Sequence, residues 1–312
     1  MKRAFFANEK EGSILFFSIL IFLGSMILFF AISIVLAIPL FQLSFMEILE
    51  RVQNAANPEN RSLVIYLQIV QGIGTFIVSS IFIGYLVTRK PLTYLKLNQN
   101  TQGMLTLLAI LTIILANPLI NMLAYLNQEL KLPDALRGVE SWMYEKEKAA
   151  EEITMLFLNV KTFKGLLINI FMIGIIPALG EEMFFRGVMQ NQLVKITKNA
   201  HAGVLITAFF FSAIHLQFYG FLPRFILGAY LGYLFVWTGN LWYPVIVHFA
   251  NNTLAVLMYF FLYRSGIEYD VDGIGITKDT ILPGIVSTLL TVFLIYQFYK
   301  MNTNQHQRAF RS

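Results

Sequence analysis

The chain has 312 residues, of which 57% are hydrophobic and only 13% are charged. About a quarter of the residues of a soluble domain are charged, so this composition excludes an ordinary soluble protein. The chain contains no cysteine, which excludes disulfide bonds, thiol catalysis and metal sites built on cysteine. Its formal net charge of +5 is better explained by basic loops on one side of a membrane than by nucleic-acid binding.

The apolar residues fall in blocks long enough to cross a bilayer, which takes about 20 residues of helix. Backbone groups in lipid must bond within their own segment, so the blocks predict an all-α, polytopic transmembrane helical bundle. About eight spans are predicted, at residues 13–41, 63–87, 103–126, from 165 onward, 203–216, 221–237, 241–263 and 281–299. Asn117-Pro118 predicts a kink within the third span.

The third loop, residues 131–164, is the one sizeable hydrophilic segment. Apolar side chains recur in it at three-to-four spacing, at Val139, Met143, Ala150, Ile153, Phe157 and Val160. Charged side chains occupy the opposite face, at Glu140, Glu145, Glu147, Lys148, Glu151 and Glu152. This pattern predicts an amphipathic helix on the membrane surface, which serves either as a solvated connector or as a functional lid.

The predicted organisation is one integral membrane domain in three parts. Residues 1–164 form an N-terminal transmembrane part with the amphipathic helix, residues 165–263 form a core, and residues 264–312 form the last span and a cytoplasmic tail.

Loop charges predict the orientation of this domain. The segments on the side of the N-terminus hold two acids, Glu9 and Glu11, and eleven bases: Lys2, Arg3, Lys10, Arg89, Lys90, Lys96, Lys195, Lys198, Lys300, Arg308 and Arg311. Basic residues concentrate in cytoplasmic loops, so both termini are predicted to be cytoplasmic, as an even number of spans requires.

Three charged residues, Glu181, Glu182 and Arg186, interrupt the fourth apolar block. A charge near the centre of a spanning helix costs about 2.5–3.5 kcal/mol on insertion scales, so these side chains must face one another, water or a substrate. Residues four apart share a helix face, so Glu182 and Arg186 can pair. Glu181 is rotated by about 100° from Glu182 and can therefore remain free.

Two histidines lie in later apolar blocks, in Phe211-x-x-x-His215 and His248-x-x-x-Asn252. With the glutamates, they give three helices that each present polar groups which only an interior cavity would tolerate. A carboxylate beside imidazoles can act as a general base on water, and an Asn amide and a His N–H are suitable donors to an oxyanion. This combination indicates hydrolysis of a peptide carbonyl by an activated water.

Each of these features also has a structural interpretation. A lone histidine in a membrane can simply join two helices, and a Glu–Arg pair four residues apart is more often a clamp than a catalytic pair. We assign the clamp role to Glu182 and Arg186, whereas polar clusters on three helices favour a site. His201 is predicted to be exposed, and Gly228-x-x-x-Gly232 predicts close helix packing.

The three motifs, in this order on successive apolar segments, resemble those of the CPBP family of intramembrane proteases. This family includes CAAX proteases and the Abi, or bacteriocin-processing, proteins. The resemblance covers about residues 165–260, and a segment that includes Arg224–Gly228 and Gly239–Pro244 also resembles the family. The N-terminal half of the chain is supported by its hydropathy alone.

The resemblance implies a role for each motif residue. Glu181 would activate the water with the help of His215, and His248 and Asn252 would stabilise the oxyanion, while the Glu–Arg pair of the first motif would support the site. Family members have been described both as metal-dependent and as glutamate-dependent. Glu181, His215 and His248 are a set that a divalent zinc ion could accept, but the sequence has no His-x-x-x-His pair, and we favour the glutamate–water mechanism.

The predicted function is an intramembrane endopeptidase of the CAAX type, in a bacterial plasma membrane. Its predicted partners are a peptide or protein substrate and the lipid bilayer, with no nucleic acid. Two alternatives stay open: a catalytically silent immunity or scaffold protein of the same fold, and a proton-coupled transporter. A transporter would predict inverted repeats, and none is evident in the sequence.

Span lengths also predict the depth of the site residues. Glu181 lies 16 residues past Gly165, or about 24 Å at 1.5 Å per residue, which places it nearer the cytoplasmic face. His248, early in the seventh span, has a similar predicted depth. His215, late in the fifth span, does not, unless that helix is short, tilted or broken.

Overall fold

The computed structural model describes residues 4–130, 132–265, 276 and 281–309. The described residues are mostly helical and contain no strand. The chain is therefore an all-α bundle, as its hydropathy predicts. Residues 1–3 and 310–312, at the two predicted cytoplasmic ends, lie outside the described part.

Eleven helices carry the fold of the described residues. In chain order they are α1 (Glu11–Phe41), α2 (Phe45–Gln53), α3 (Pro58–Thr88), α4 (Gly103–Leu115), α5 (Asn117–Gln128), α6 (Arg137–Leu158), α7 (Phe163–Thr197), α8 (Ala200–Ala213), α9 (Phe221–Thr238), α10 (Trp242–Ser265) and α11 (Ile281–Ala309). Short helical turns, such as Pro91–Tyr94, lie between some of them.

Six of the described helices, α1, α3, α7, α9, α10 and α11, are long and apolar enough to cross a membrane. A 45° bend at the predicted Asn117-Pro118 kink separates α4 from α5. If the two helices are counted as one bent span, they make a seventh.

The predicted fifth span differs from the others. Helix α8 has only 14 residues, or about 21 Å at 1.5 Å per residue, which is too short for a hydrocarbon core of about 30 Å. The prediction of eight full spans is therefore corrected to six or seven spans and one short apolar helix.

Side-chain caps stabilise the N-termini of α7 and α8, which carry the first two motifs. Thr162 precedes α7, and its hydroxyl accepts the backbone N–H of Gly165 at 3.1 Å. Asn199 precedes α8, and its side-chain oxygen accepts the N–H groups of His201 and Ala202 at 2.9 and 3.2 Å. These bonds satisfy donors that the first turn of a helix leaves without intrahelical partners.

One end of the bundle holds both the start of α1 and the last part of α11, and we call it the terminal end. Lys195 of α7 pairs there with Glu11 of α1 at 3.5 Å. Asn302 of α11 donates to the carbonyl of Trp237 in α9 at 2.6 Å. Hydrogen bonds between the segments that follow α3 and α9 join these contacts into one layer.

The opposite end carries α6, and we call it the surface-helix end. Arg61 at the start of α3 donates to the carbonyls of Leu156 and Phe157 at 3.1 and 3.3 Å. Asn169 of α7 donates to the carbonyl of Phe157 at 2.6 Å. The predicted amphipathic helix is thus confirmed as an element, and its C-terminal end is tied to two spanning helices.

Helix α7 is at the centre of the bundle. Its second half packs into a cluster of buried residues drawn from α1, α3, α8, α9 and α10. Phe184 stacks on Phe22 of α1 with ring centroids 4.0 Å apart, and Phe185 meets Phe211 of α8 edge-on at 5.3 Å. Lipid tails are as apolar as these side chains, so close packing and hydrogen bonds, rather than release from water, hold such helices together.

Candidate active site

Helix α7 departs from regular α-helical geometry on both sides of the charged motif. Ile170–Ile175 and Met183–Gln190 are π-helical, and Ile176–Glu182 between them is α-helical. Single π-helical turns occur frequently at functional sites. Pro177 has no N–H to donate, so the carbonyl of Ile173, four residues earlier, lacks its regular α-helical donor.

Glu182 and Arg186 form the predicted ion pair, and both side chains are fully buried. Arg186 Nη1 donates to Glu182 Oε1 at 2.9 Å. His248 Nδ1 lies 2.8 Å from the same oxygen, and an ionised carboxylate only accepts, so Nδ1 carries the proton. The clamp therefore has a third member from α10, which the motif spacing does not predict.

The clamp is also bonded to the backbone of α9. Arg186 Nη2 donates to the carbonyl of Gly228 at 2.9 Å, and Gln190 Nε2 donates to that of Gly232 at 3.0 Å. A Cβ at Gly228 would lie only 3.0 Å from Phe211 Cδ1. The predicted close packing at the two glycines is confirmed, and it brings their carbonyls within reach of α7.

Phe211 of the second motif lies among the polar groups rather than apart from them. The guanidinium carbon of Arg186 lies 4.5 Å from the centroid of the Phe211 ring, a cation–π contact. His215 and His248 approach the same ring edge-on, with centroids 5.4 and 5.9 Å away. Phe211 thereby fixes the end of α8 against both α7 and α10.

His215 lies one turn beyond Phe211, just past the end of α8. Its Nδ1 is 2.8 Å from the carbonyl oxygen of Phe211. A carbonyl only accepts, so Nδ1 donates, and in the neutral ring Nε2 keeps its lone pair. The next residue, Leu216, has φ 52°, a left-handed conformation that is strained for a bulky side chain and often marks functional sites.

Glu181 lies at the level of His215. Phe185 contacts Phe211, and Glu181 and His215 each lie one helical turn from these two rings, toward the surface-helix end. Glu181 is partly exposed, and its Oε2 is buried with no hydrogen-bond partner among the described residues. Its charge acts on the imidazole of His215.

The structure corrects the depth predicted for Glu181 and accounts for that of His215 by a short helix, one of the predicted explanations. Helix α7 continues to Thr197, because the polar residues after residue 190 do not end it. Glu181 therefore lies near the middle of α7 rather than toward one face. His215 reaches the same level because α8 starts at the terminal end and stops after 14 residues.

Asn252 lies on α10, one turn beyond His248. Its Nδ2 donates to the carbonyl of Ile173 at 2.9 Å, which is the carbonyl that Pro177 leaves without a regular donor. Its Oδ1 accepts from Asn251 at 3.2 Å. An amide nitrogen has two hydrogens, so the second one remains available to a bound molecule.

The candidate zinc ligands are not arranged as a metal site. Among the described residues, no group of three or more His, Asp or Glu side chains is placed to hold a metal ion. The set of Glu181, His215 and His248, which is the alternative to the glutamate–water mechanism, is therefore not brought together as a metal site in the described part of the chain.

Comparison with known proteins agrees with the motifs. Residues 163–254 match a family model described as Rce1-like, type II CAAX prenyl endopeptidase Rce1-like. This segment contains all six candidate site residues, from Glu181 to Asn252. The resemblance of the motifs to the CAAX-protease family is thereby confirmed, and the family points to a protease.

A relative and the solved structures were also compared. The chain is 32% identical over 102 residues to the uncharacterized protein YpbD of Bacillus subtilis strain 168. The aligned part covers 31% of this chain and 49% of YpbD, so it spans about half the length of that relative. No solved structure is significantly similar. With its six or more apolar helices, the chain is an integral membrane protein with a CAAX-protease-like segment.

Proposed function

We propose that this chain, whose residues 163–254 match the Rce1-like family, is an intramembrane endopeptidase that uses a glutamate-activated water. The observation that carries the proposal is the position of Glu181. Its buried Oε2, like that of Glu182, has no partner among the described residues, but Glu181 is partly exposed and shares a level with His215, beside the Glu182–Arg186–His248 clamp. A carboxylate placed in this way can bind and deprotonate a water.

The reaction follows from the free atoms of these residues. Glu181 takes a proton from water while Nε2 of His215 accepts a hydrogen bond from the same water. The water oxygen bonds to the carbonyl carbon of the peptide, and a tetrahedral oxyanion forms. The C–N bond then breaks, and the proton held by Glu181 passes to the leaving nitrogen, so the carboxylate is restored.

Two donors can stabilise the oxyanion. The second amide hydrogen of Asn252 is one, and a preorganised donor of this kind contributes about 10²–10³ in kcat. His248 is the other, but Glu182 keeps the proton on Nδ1, so His248 donates from Nε2 only as the imidazolium. Glu182 and Arg186 act by orienting that ring.

The membrane orientation and localisation form part of the proposal. The start of α1 and the described end of α11 lie at the terminal end of the bundle. The basic loops lie at this end as well, so we place it in the cytoplasm, as the positive-inside rule requires. Similarity to a Bacillus protein supports a bacterial source, and the apolar helices support a membrane location, so we propose the bacterial plasma membrane.

A silent scaffold of the same fold is the main competing function. The clamp alone accounts for stability, because it joins α7, α9 and α10 through bonded groups. A scaffold gains nothing from a second, partly exposed carboxylate at Glu181 outside the clamp, since a charge near the centre of a spanning helix costs about 2.5–3.5 kcal/mol. The position of Glu181 therefore favours an enzyme.

The test compares peptides in cells that contain the natural chain, Glu181→Gln, or no chain. Mass spectrometry of membrane and secreted peptides is expected to show the same uncleaved species in the Glu181→Gln and chain-free cells. His201→Gln, an exposed change, is the control and should match the natural chain. Identical peptide profiles for Glu181→Gln and the natural chain would contradict the proposal.

A further inference from the structure

The site is closed toward the terminal end of the bundle. All nine residues from Glu182 to Gln190 are buried. Arg186 and Gln190 extend from this stretch to the carbonyls of Gly228 and Gly232, so polar side chains fill the space between α7 and α9. Helix α8 covers the same stretch from another side. A peptide cannot reach Glu181 through this layer without breaking the clamp.

The site is more open toward the surface-helix end. Glu181 and His215 are partly exposed, as are Gln217, Tyr219 and Arg224 in the segment that joins α8 to α9. Arg224 Nη1 donates to the carbonyl of Gln217 at 2.8 Å, and the charge of Glu181 acts on this guanidinium. A polar path therefore continues from the proposed general base to this segment.

Helix α6 lies against this path. Glu147 Oε2 accepts the backbone N–H of Tyr219 at 3.2 Å, and the Trp142 ring lies 5.3 Å from that of Phe218. The charge of Glu147 also acts on Arg224. The N-terminal half of α6 thus borders the mouth of the site, while its other end is anchored by hydrogen bonds from α3 and α7.

The charges of the loops indicate on which side of the membrane this mouth lies. The loops of the terminal end are strongly basic, which marks that end as cytoplasmic. The surface-helix end is then extracytoplasmic. Helix α6 has an excess of acid, with Glu140, Glu145, Glu147, Glu151 and Glu152 against Arg137, Lys146 and Lys148.

We infer that the candidate site at Glu181 and His215 is reached from the extracytoplasmic face, beside α6, and that its substrate is an exported or membrane-anchored peptide. The acidic face of α6 favours a peptide that is neutral or basic beside the scissile bond, since an acidic one would be repelled. This inference rests on the proposed function for its substrate and for the orientation of the chain, but the direction of access can be measured without any activity.

The absence of cysteine from the natural sequence makes that measurement direct. Three single variants place a thiol at the mouth (Gln217→Cys), on the exposed face of α6 (Glu151→Cys) and at the terminal end (Lys195→Cys). Right-side-out and inverted membrane vesicles are treated with trimethylammonioethyl methanethiosulfonate, a small cation that does not cross membranes. Intact mass then gives the labelled fraction for each variant.

The expected result is that Gln217→Cys and Glu151→Cys are labelled in right-side-out vesicles, whereas Lys195→Cys is labelled in inverted vesicles. Labelling of Gln217→Cys in inverted vesicles alone, or in neither preparation while Glu151→Cys reacts, would overturn the inference. Tyr219→Cys serves as a second thiol at the mouth, so that poor folding of one variant does not decide the outcome.

The same variants separate this inference from the proposed function. If Gln217→Cys reacts from outside but no peptide depends on Glu181, the access inference stands and the protease proposal fails. If both hold, labelling of Gln217→Cys from outside should also block cleavage by at least tenfold. Labelling of Lys195→Cys should leave cleavage unchanged.

Discussion

Glu181 and Glu182 are adjacent in the sequence but lie in opposite surroundings. Glu182 is fully buried, and one of its oxygens accepts from both Arg186 and His248. Glu181 is partly exposed. Because the Oε2 atoms of both glutamates lack a hydrogen-bond partner in the described part of the chain, the contrast lies in exposure and in the two bonds of Glu182 Oε1. The difference arises because successive helical residues are rotated by about 100°.

The comparison shows how one motif can serve both stability and chemistry. A buried charge with bonded partners fixes helices in place, and its removal damages the fold. A carboxylate with unused acceptor capacity can bind a water or a substrate. Changes to the clamp and changes beside Glu181 therefore test whether stability and activity depend on different residues.

The largest expected effect is on activity, from loss of His215. His215→Ala removes the nitrogen that holds the water beside Glu181 and should lower kcat/KM by about 10²–10⁴. Stability should change less than activity, because the lost contacts are one hydrogen bond to the Phe211 carbonyl and one edge-on ring contact. His201→Ala is the matched control, since His201 bonds Tyr233 at the exposed surface. Equal activity of the two variants would contradict the assignment of His215.

Arg186→Met should lower the stability of the fold, because it breaks the clamp. Removing one partner of a buried ion pair leaves the other charge uncompensated and costs about 3–5 kcal/mol. Thermal or denaturant unfolding in detergent would measure this loss. The double change Glu182→Gln with Arg186→Met should be more stable than Arg186→Met alone, because no charge is left unpaired. Equal unfolding midpoints for the single and the double variant would contradict an ion pair in the clamp.

Asn252→Ala should lower both activity and stability. Loss of an oxyanion donor lowers kcat by about 10²–10³, and loss of the bond to Ile173 costs about 1–3 kcal/mol. Asn251→Ala is the control, because Asn251 contacts Asn252 but not the carbonyl of Ile173. A variant that loses stability but keeps full kcat would assign Asn252 to structure alone.

The smallest expected effect comes from packing around the clamp. Gly228→Ala places a Cβ 3.0 Å from the Phe211 ring and should cost about 1–3 kcal/mol through overpacking. Gly24→Ala has no heavy atom within 4 Å of its new Cβ and should be neutral. Unfolding curves of both variants in one detergent would check this, and equal midpoints would argue against tight packing of α8 on α9.

Much of the fold could be predicted from the sequence, because spanning helices need long apolar blocks. The kink at Asn117-Pro118 and the amphipathic helix of the third loop also follow from local rules, namely the missing N–H of proline and three-to-four apolar spacing. The length of α8 could not be predicted in this way. Ile214 and Leu216 continue the apolar block past Ala213, so hydropathy does not mark the end of the helix.

The sequence predicts candidate site residues but not the hydrogen bonds that they make with other helices. Helical spacing predicts the Glu182–Arg186 pair, which is local. The bond from His248 to Glu182 joins residues 66 positions apart and depends on how α7 and α10 pack. One signal was available for Asn252: Pro177 frees the carbonyl of Ile173, which then needs a donor from another helix.

The most direct test of the account pairs Glu181→Gln with Glu182→Gln in one detergent preparation, with cleavage and the unfolding midpoint measured on each. Glu181→Gln should unfold like the natural chain but lose peptide cleavage. Glu182→Gln should lose about 3–5 kcal/mol of stability, because Arg186 is left buried without its partner. A Glu181→Gln variant that cleaves at the natural rate would contradict the central claim.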